Sequence, residues 1–162
     1  MDKLDDIQDY IENLCHLHKE VAHNVGSKKA FARFKSDDQV IQITKNSAAN
    51  VVVIAEINGQ MQGPDGEIRR GVAIIFGSQA SAKGNRQEAI DEANNKAEEI
   101  MIDFIARIQY DQENECELSI DLENISWNDI EGPWLQNYYG WMLFLPFKGW
   151  LPAYDEDKWN EE

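Results

Sequence analysis

Two β-branched runs, Asn50–Asn58 (NVVVIAEIN) and Arg69–Gly77 (RRGVAIIFG), are separated by the glycine-rich segment GQMQGPDGEI. This pairing constrains the fold more than any other feature of the chain. Both runs are nearly continuous in Val and Ile, the pattern of strands covered on both faces. The Pro-Asp-Gly between them is a turn signal. The expectation is therefore a central antiparallel hairpin with a long protruding tip over residues 58–68.

The remaining elements are read around that hairpin. Leu4, Ile7, Ile11, Leu14, His18, Val21 and Val25 recur at helical spacing and predict a helix over 4–25, with Gly26 as its stop. Asp2, Asp5 and Asp6 in its first turns suit the helix dipole. SKKAFARFKSDD reads as a short connecting helix whose Phe31 and Phe34 dock on the core, in preference to a nucleic-acid patch. Gln39–Lys45 (QVIQITK) reads as a strand by alternation. A second long helix starts at Asn85, an N-cap with Glu88 three residues on, and runs to about Tyr110. Its apolar face holds Ile90, Ala93, Ala97, Ile100, Met101, Phe104, Ile105 and Ile108. Glu115–Ile125 (ECELSIDLENI) alternates as a half-buried strand with Asp121 outward, SWNDIEGPW reads as a connection, and Tyr138–Phe147 reads as the last strand. Pro146 suggests an edge or a bend there.

The resulting order is α-β-β-β-α-β-β. It implies a single α+β domain over 1–162, a mostly antiparallel sheet of about five strands with two main helices on one side, and an acidic arm over 148–162.

Composition narrows function. The 162 residues are 43% hydrophobic and 28% charged, with a net charge of −15, which argues for a globular chain and against general nucleic-acid binding. Residues 111–162 hold thirteen of the acids and only Lys148 and Lys158 as bases. MDKLDDIQDY carries no apolar signal-peptide core, and WMLFLPF is far too short to span a bilayer. Cys15 and Cys116 make no disulfide framework, so a reduced cytoplasmic setting is expected.

Catalytic and metal motifs are weak. Cys15, His16, His18 and His23 do not share one helix face, so they do not converge as a zinc site requires. His18 falls on the apolar stripe and is read as a hydrogen-bonded core residue. No nucleophile elbow, phosphate loop or HExxH motif is present. The reading is a non-enzyme without a cofactor.

The end of the chain, GPWLQNYYGWMLFLPFKGWLPAYDEDKW, holds Trp134, Trp141, Trp150 and Trp159, four of its five tryptophans. An acidic membrane anchor is implausible, since such anchors are basic. Alternation puts Tyr139, Trp141, Leu143, Leu145 and Phe147 on one face and Tyr138, Met142 and Phe144 on the other. A strand apolar on both faces is favoured over a ligand box.

The element order together with Phe104–Asp111 (FIARIQYD), Gly140–Phe147 and the acidic Tyr154–Trp159 resembles small virion proteins of tailed phages and prophages. It is most similar to tail-terminator and neck (head–tail joining) proteins. That resemblance implies a non-enzymatic structural protein forming a ring, usually a hexamer, that joins tail tube and capsid. DNA would pass through its acidic lumen without being bound specifically. Partners would be further copies of the chain and tail-tube or connector proteins. The location would be the virion, and the host cytoplasm during assembly. Gln60, Met61, Asp65, Trp134, Tyr138, Trp141, Trp150, Tyr154 and Trp159 are the expected contact residues. The competing reading is an acidic inhibitor or DNA mimic, of the immunity or anti-restriction type, that binds a basic partner.

Overall fold

A computed structural model describes residues 4–33, 37–46, 48–62, 66–114, 118–135 and 137–150. The elements run α1 (Leu4–Leu17), β1 (Phe31–Ala32), α2 (Asp37–Asn46), β2 (Asn50–Gln62), β3 (Glu67–Gln79), α3 (Arg86–Glu113), a 3-10 turn (Leu122–Asn124), β4 (Ser126–Asp129) and β5 (Tyr138–Trp150). The architecture is α+β. One five-stranded sheet has the order β1-β2-β3-β5-β4, antiparallel except for the β1–β2 pair.

The β2–β3 hairpin lies at the centre, as the Val/Ile runs predict. Its strands are longer than expected: β2 extends to Gln62 and β3 starts at Glu67, so most of the supposed tip is ladder. The ladder shifts by one residue between Ile54 and Glu56, a bulge at Ala55. Burial divides the ribbon. Val51–Ile54 and Val72–Ser78 are buried, whereas Glu67–Gly71 are half-exposed and Met61 is 65% exposed.

α3 seats on the sheet through a small-residue seam. Ala93 and Ala97 are buried, and Gly140 of β5 comes so close to α3 that an added Cβ would lie 3.0 Å from the Cβ of Ala97. Phe104 meets Phe76 of β3 edge-on, with ring centroids 5.0 Å apart, a favourable aromatic geometry. At the helix start, the Asn85 side chain accepts the N–H groups of Gln87 and Glu88, satisfying two donors that the helix leaves unpaired. The helix runs one turn past Tyr110, to Glu113.

α1 lies antiparallel to α3. Tyr10 donates to Asp111 at 2.9 Å, and His18 just past α1 faces Asp103 at 3.2 Å, so eight residues forward along the first segment match eight back along α3. Ile7, Ile11, Leu14 and Val21 enter the same core as Met101, Phe104 and Ile108.

Several local expectations are corrected. The first helix ends at Leu17 rather than Val25. Residues 18–26 fold back instead, with Ala22, Asn24 and Gly26 at positive φ, so Val21 remains buried and Val25 is 54% exposed.

Gln39–Lys45 is helical, not a strand. Alternation put Ile41 and Ile43 on one face, but Ile43 is buried while Ile41 is 48% exposed, and Val40 joins the core one helical step from Ile43. The reason is topological: β1 and β2 are parallel, and a parallel pair needs a crossover, which α2 supplies.

Phe31 docks in the core as expected, but on the short strand β1 rather than a helix.

Glu115–Ile125 is not a regular strand in its described part. Residues 118–125 form an isolated bridge of Ile120 with Phe147 and then a 3-10 turn. Asp121, expected outward, is buried. The fourth strand is Ser126–Asp129, inside the presumed connection.

β5 lies inside the sheet, between β3 and β4, rather than at its edge. Pro146 is tolerated because β4 pairs only Trp141–Phe144. Beyond that, the Pro146 carbonyl accepts the N–H of Asp121, and the missing proline N–H is not needed. Lys148–Trp150, assigned to the acidic arm, are strand residues; the rest of that arm lies outside the described residues.

Candidate functional site

His16 lies in the last turn of α1 and His18 and His23 in the fold-back after it, and each serves a structural bond. The Nδ1 of His23 accepts two backbone N–H groups, from Ala30 and Phe31, both at 3.1 Å. That fixes the proton on Nε2, which faces Glu12 at 3.3 Å. Burial holds the His23 pKa below its ordinary value, against the opposing pull of Glu12. Glu12 also takes the guanidinium of Arg33, which is shared with Asp9. Three elements are thereby pinned around one neutral imidazole. The Nδ1 of His16 lies 2.7 Å from the His23 carbonyl. Cys15 is fully buried, and that burial pushes its thiol up, away from the reactive thiolate. Among the described residues, no group of three His, Cys, Asp or Glu side chains is placed to hold a metal ion.

A groove of about 420 Å³ opens between the end of α1 and α3, floored by Leu14, Leu17 and Phe104 and rimmed by His18, Lys19, Glu20, Asp103 and Arg107. The Nε2 of His18 faces Asp103, its Nδ1 accepts the Glu20 N–H at 3.3 Å, and its ring leans on Phe104 at 5.5 Å. Both ring nitrogens are thus engaged. The lining contains no hydroxyl or thiol nucleophile for the imidazole to activate.

The C-terminal aromatics separate into packing and exposure. Tyr138 is buried, and its hydroxyl donates to the carbonyl of Ala48. Trp141 is half-buried, and its indole N–H donates to the Asn94 carbonyl at 3.2 Å, tying β5 to α3. Trp134 is half-buried; its backbone exchanges hydrogen bonds with Tyr138, and its ring lies near Gly77. These three expected contact residues are therefore anchored within the chain itself. Tyr139 stacks under Arg86, which also donates to its hydroxyl at 3.0 Å. The other face of β5 is less covered, with Met142 half-buried and Phe144 36% exposed. Trp150 is the last residue of β5, opposite Glu67. Asp65, Tyr154 and Trp159 lie outside the described residues.

Gln60 and Met61 lie in the distal part of β2. The same end of the ribbon carries a charge network that alternation concealed. The Asp121 side chain, 1% exposed, takes Lys148 at 3.1 Å, Asn124 at 2.7 Å and Arg69 at 3.8 Å, while Arg69 also pairs with Glu67 at 2.6 Å. Burial alone would raise the Asp121 pKa, but the bonds from Asn124 and Lys148 together outweigh it and hold the carboxyl below its usual range. The network clamps the 118–124 segment to the ribbon. Trp127, 42% exposed beside Ile105 of α3, is a further large surface aromatic, not among the expected contact residues. Its only signal was its place between two charge-rich stretches.

No helix among the described residues is long and apolar enough to cross a membrane. Comparison with protein-family models, with curated proteins and with solved structures gives no match to this chain.

Proposed function

We propose that the chain is a non-enzymatic virion structural protein of the tail-terminator or neck type, which forms a ring where a phage tail meets its capsid. The observation that carries this reading is the three-stranded ribbon β2-β3-β5. Each strand is 13 residues long, and the distal half is only partly buried by the subunit's own helices. At about 3.4 Å per residue such strands span about 40 Å. A ribbon of that length, clamped by the Asp121 network, is a rigid arm suited to reaching neighbouring subunits. The net charge of −15 suits a lumen along which DNA slides without adhering. The histidines and the buried thiol are engaged in the fold, which supports a structural role over a chemical one.

The test is co-expression with tail-tube and portal proteins of tailed phages, followed by negative-stain microscopy and mass measurement. Rings of this chain bound to a tube end or a connector are expected. A chain that forms no ring and binds none of these proteins refutes the proposal.

The acidic-inhibitor reading draws on the surface of α3, where Glu88, Asp91, Glu92 and Glu99 are exposed. It predicts salt-sensitive capture of a basic nuclease or DNA-binding protein, and the virion reading predicts none.

A further inference from the structure

We propose that two copies of the chain pair antiparallel through the outer edge of β2, centred on Gly59, to make one continuous sheet. β1 covers only Val52 and Val53, and among the described residues nothing pairs with β2 beyond them on that side. The direction of the free groups follows from the ladder. The Val52 N–H donates outward, to the carbonyl of Ala30 just before β1, at 2.8 Å. Alternation from Val52, advanced one residue by the bulge at Ala55, turns the N–H and C=O of Ile57, Gly59 and Met61 to the open edge.

An antiparallel copy centred on Gly59 then sets Ile57 against the copy's Met61, Gly59 against its Gly59, and Met61 against its Ile57. All three are hydrogen-bonded pairs, giving about six bonds. The intervening positions set Asn58 against Gln60, and Glu56 meets Gln62 rather than a second carboxylate.

Beyond the bulge at Ala55 and the single charge of Glu56, the segment carries few of the usual guards of an edge. Ala55–Gln62 contains no Pro and no Lys, and Glu56 is its one charge. This matters in a chain of charge −15, whose copies repel one another over most of the surface. The exposed Met61 gains cover from Ile57 of the other copy. A second copy is therefore the occupant that the register and the charge both fit, and an isologous contact needs no other partner.

The proposal does not rest on the virion reading. A cyclic ring needs a heterologous contact, which the faces of the ribbon can make, whereas this isologous edge contact joins two copies or two rings. Absence of rings would leave the dimer standing, and absence of the dimer would leave the rings standing.

Sedimentation velocity over about 1–100 µM tests it. The wild-type chain is expected to show a concentration-dependent dimer. Met61→Pro removes one outward N–H per copy without touching the β3 ladder, and is expected to weaken the dimer about tenfold or more. Met61→Lys, which leaves the backbone intact, is expected to weaken it as well, with far-UV circular dichroism confirming the fold of both. Asn58→Cys and Gln60→Cys, each in a Cys116→Ser background, are expected to cross-link when mixed and not when alone, because positions 58 and 60 form the close non-hydrogen-bonded pair. A wild-type monomer throughout, a dimer indifferent to both Met61 variants, or equal cross-linking of mixed and single cysteines would each overturn the proposal.

Discussion

Gly140→Ala probes the seam that holds helix to sheet. Gly140 pairs with Gly77 of β3 while Ala97 of α3 rests above it. A Cβ at position 140 would lie 1.9 Å from the carbonyl oxygen of Phe76, 2.9 Å from its carbonyl carbon and 3.0 Å from the Cβ of Ala97. A carbon–oxygen contact needs about 3.3 Å, so β3 and β5 must part by more than about 1 Å. No flexible side-chain end is there to yield; the obstacle is backbone. Overpacking of a core costs about 1–3 kcal/mol, and a backbone obstacle places this site at the upper end. For a domain of this size, about 3 kcal/mol lowers Tm by about 6–12 °C. Thermal melts followed by far-UV circular dichroism, with urea unfolding followed by tryptophan fluorescence, measure the loss. Trp141 lies next to the seam, so its emission is expected to shift red even in the folded variant. Gly71→Ala is the control: nothing lies within 4 Å of its added Cβ, and it is expected to change stability by less than about 1 kcal/mol. A Gly140→Ala variant melting within about 2 °C of wild type would refute the seam argument.

Two further outcomes are expected. His23→Ala leaves the buried N–H groups of Ala30 and Phe31 without an acceptor and should cost about 2–5 kcal/mol in urea unfolding. Because the folded pKa of His23 is lowered, the unfolded chain binds the extra proton first. The stability this residue contributes is therefore full above its ordinary value of 6.5 and is lost as pH falls from there toward the folded value. Wild type should lose stability across that window more steeply than His23→Ala, and parallel pH profiles would exclude the assignment. Asp121→Asn removes the charge that Lys148 and Arg69 share, and hydrogen exchange over residues 118–124 should quicken while α3 stays protected. The lowered pKa of Asp121 makes its contribution present above the usual value of 3.8 and lost as pH falls through the folded value, so acid should release the same segment in wild type. Unchanged exchange in the variant would show that the clamp lies elsewhere.

Some of this structure was legible in the chain because the signals were local and strong. Asn85 before a long apolar stripe marks the start of α3, and only its last turn was under-read. The Val/Ile runs mark β2 and β3, since covered strands need apolar side chains on both faces. The alternation of Tyr138–Phe147 gave β5 two apolar faces, with Leu143 and Leu145 fully buried. The helical spacing on which the histidines were placed does not carry past Leu17, where α1 stops, so the positions of His18 and His23 were not legible in the sequence.

Tertiary context decided the rest. QVIQITK has the residue types of a strand, but the parallel β1–β2 pair needs a crossover, and α2 is that crossover. Asp121 alternates as a surface residue, yet Lys148, twenty-seven positions later and across a strand pairing, provides the charge that lets it be buried. Trp134, Tyr138 and Trp141 look alike as exposed or buried aromatics in sequence. The Tyr138 hydroxyl and the Trp141 indole found partners only once Ala48 and Asn94 were brought beside them. That β2 has no strand partner beyond Val53 on its outer side among the described residues is likewise invisible in sequence. This arises because β1 is two residues long and β2 is thirteen, a mismatch that only strand pairing reveals. Sequence set which segments had to be covered, through apolar pattern and caps. Non-local pairing set which were covered by their own chain and which edge was left for another.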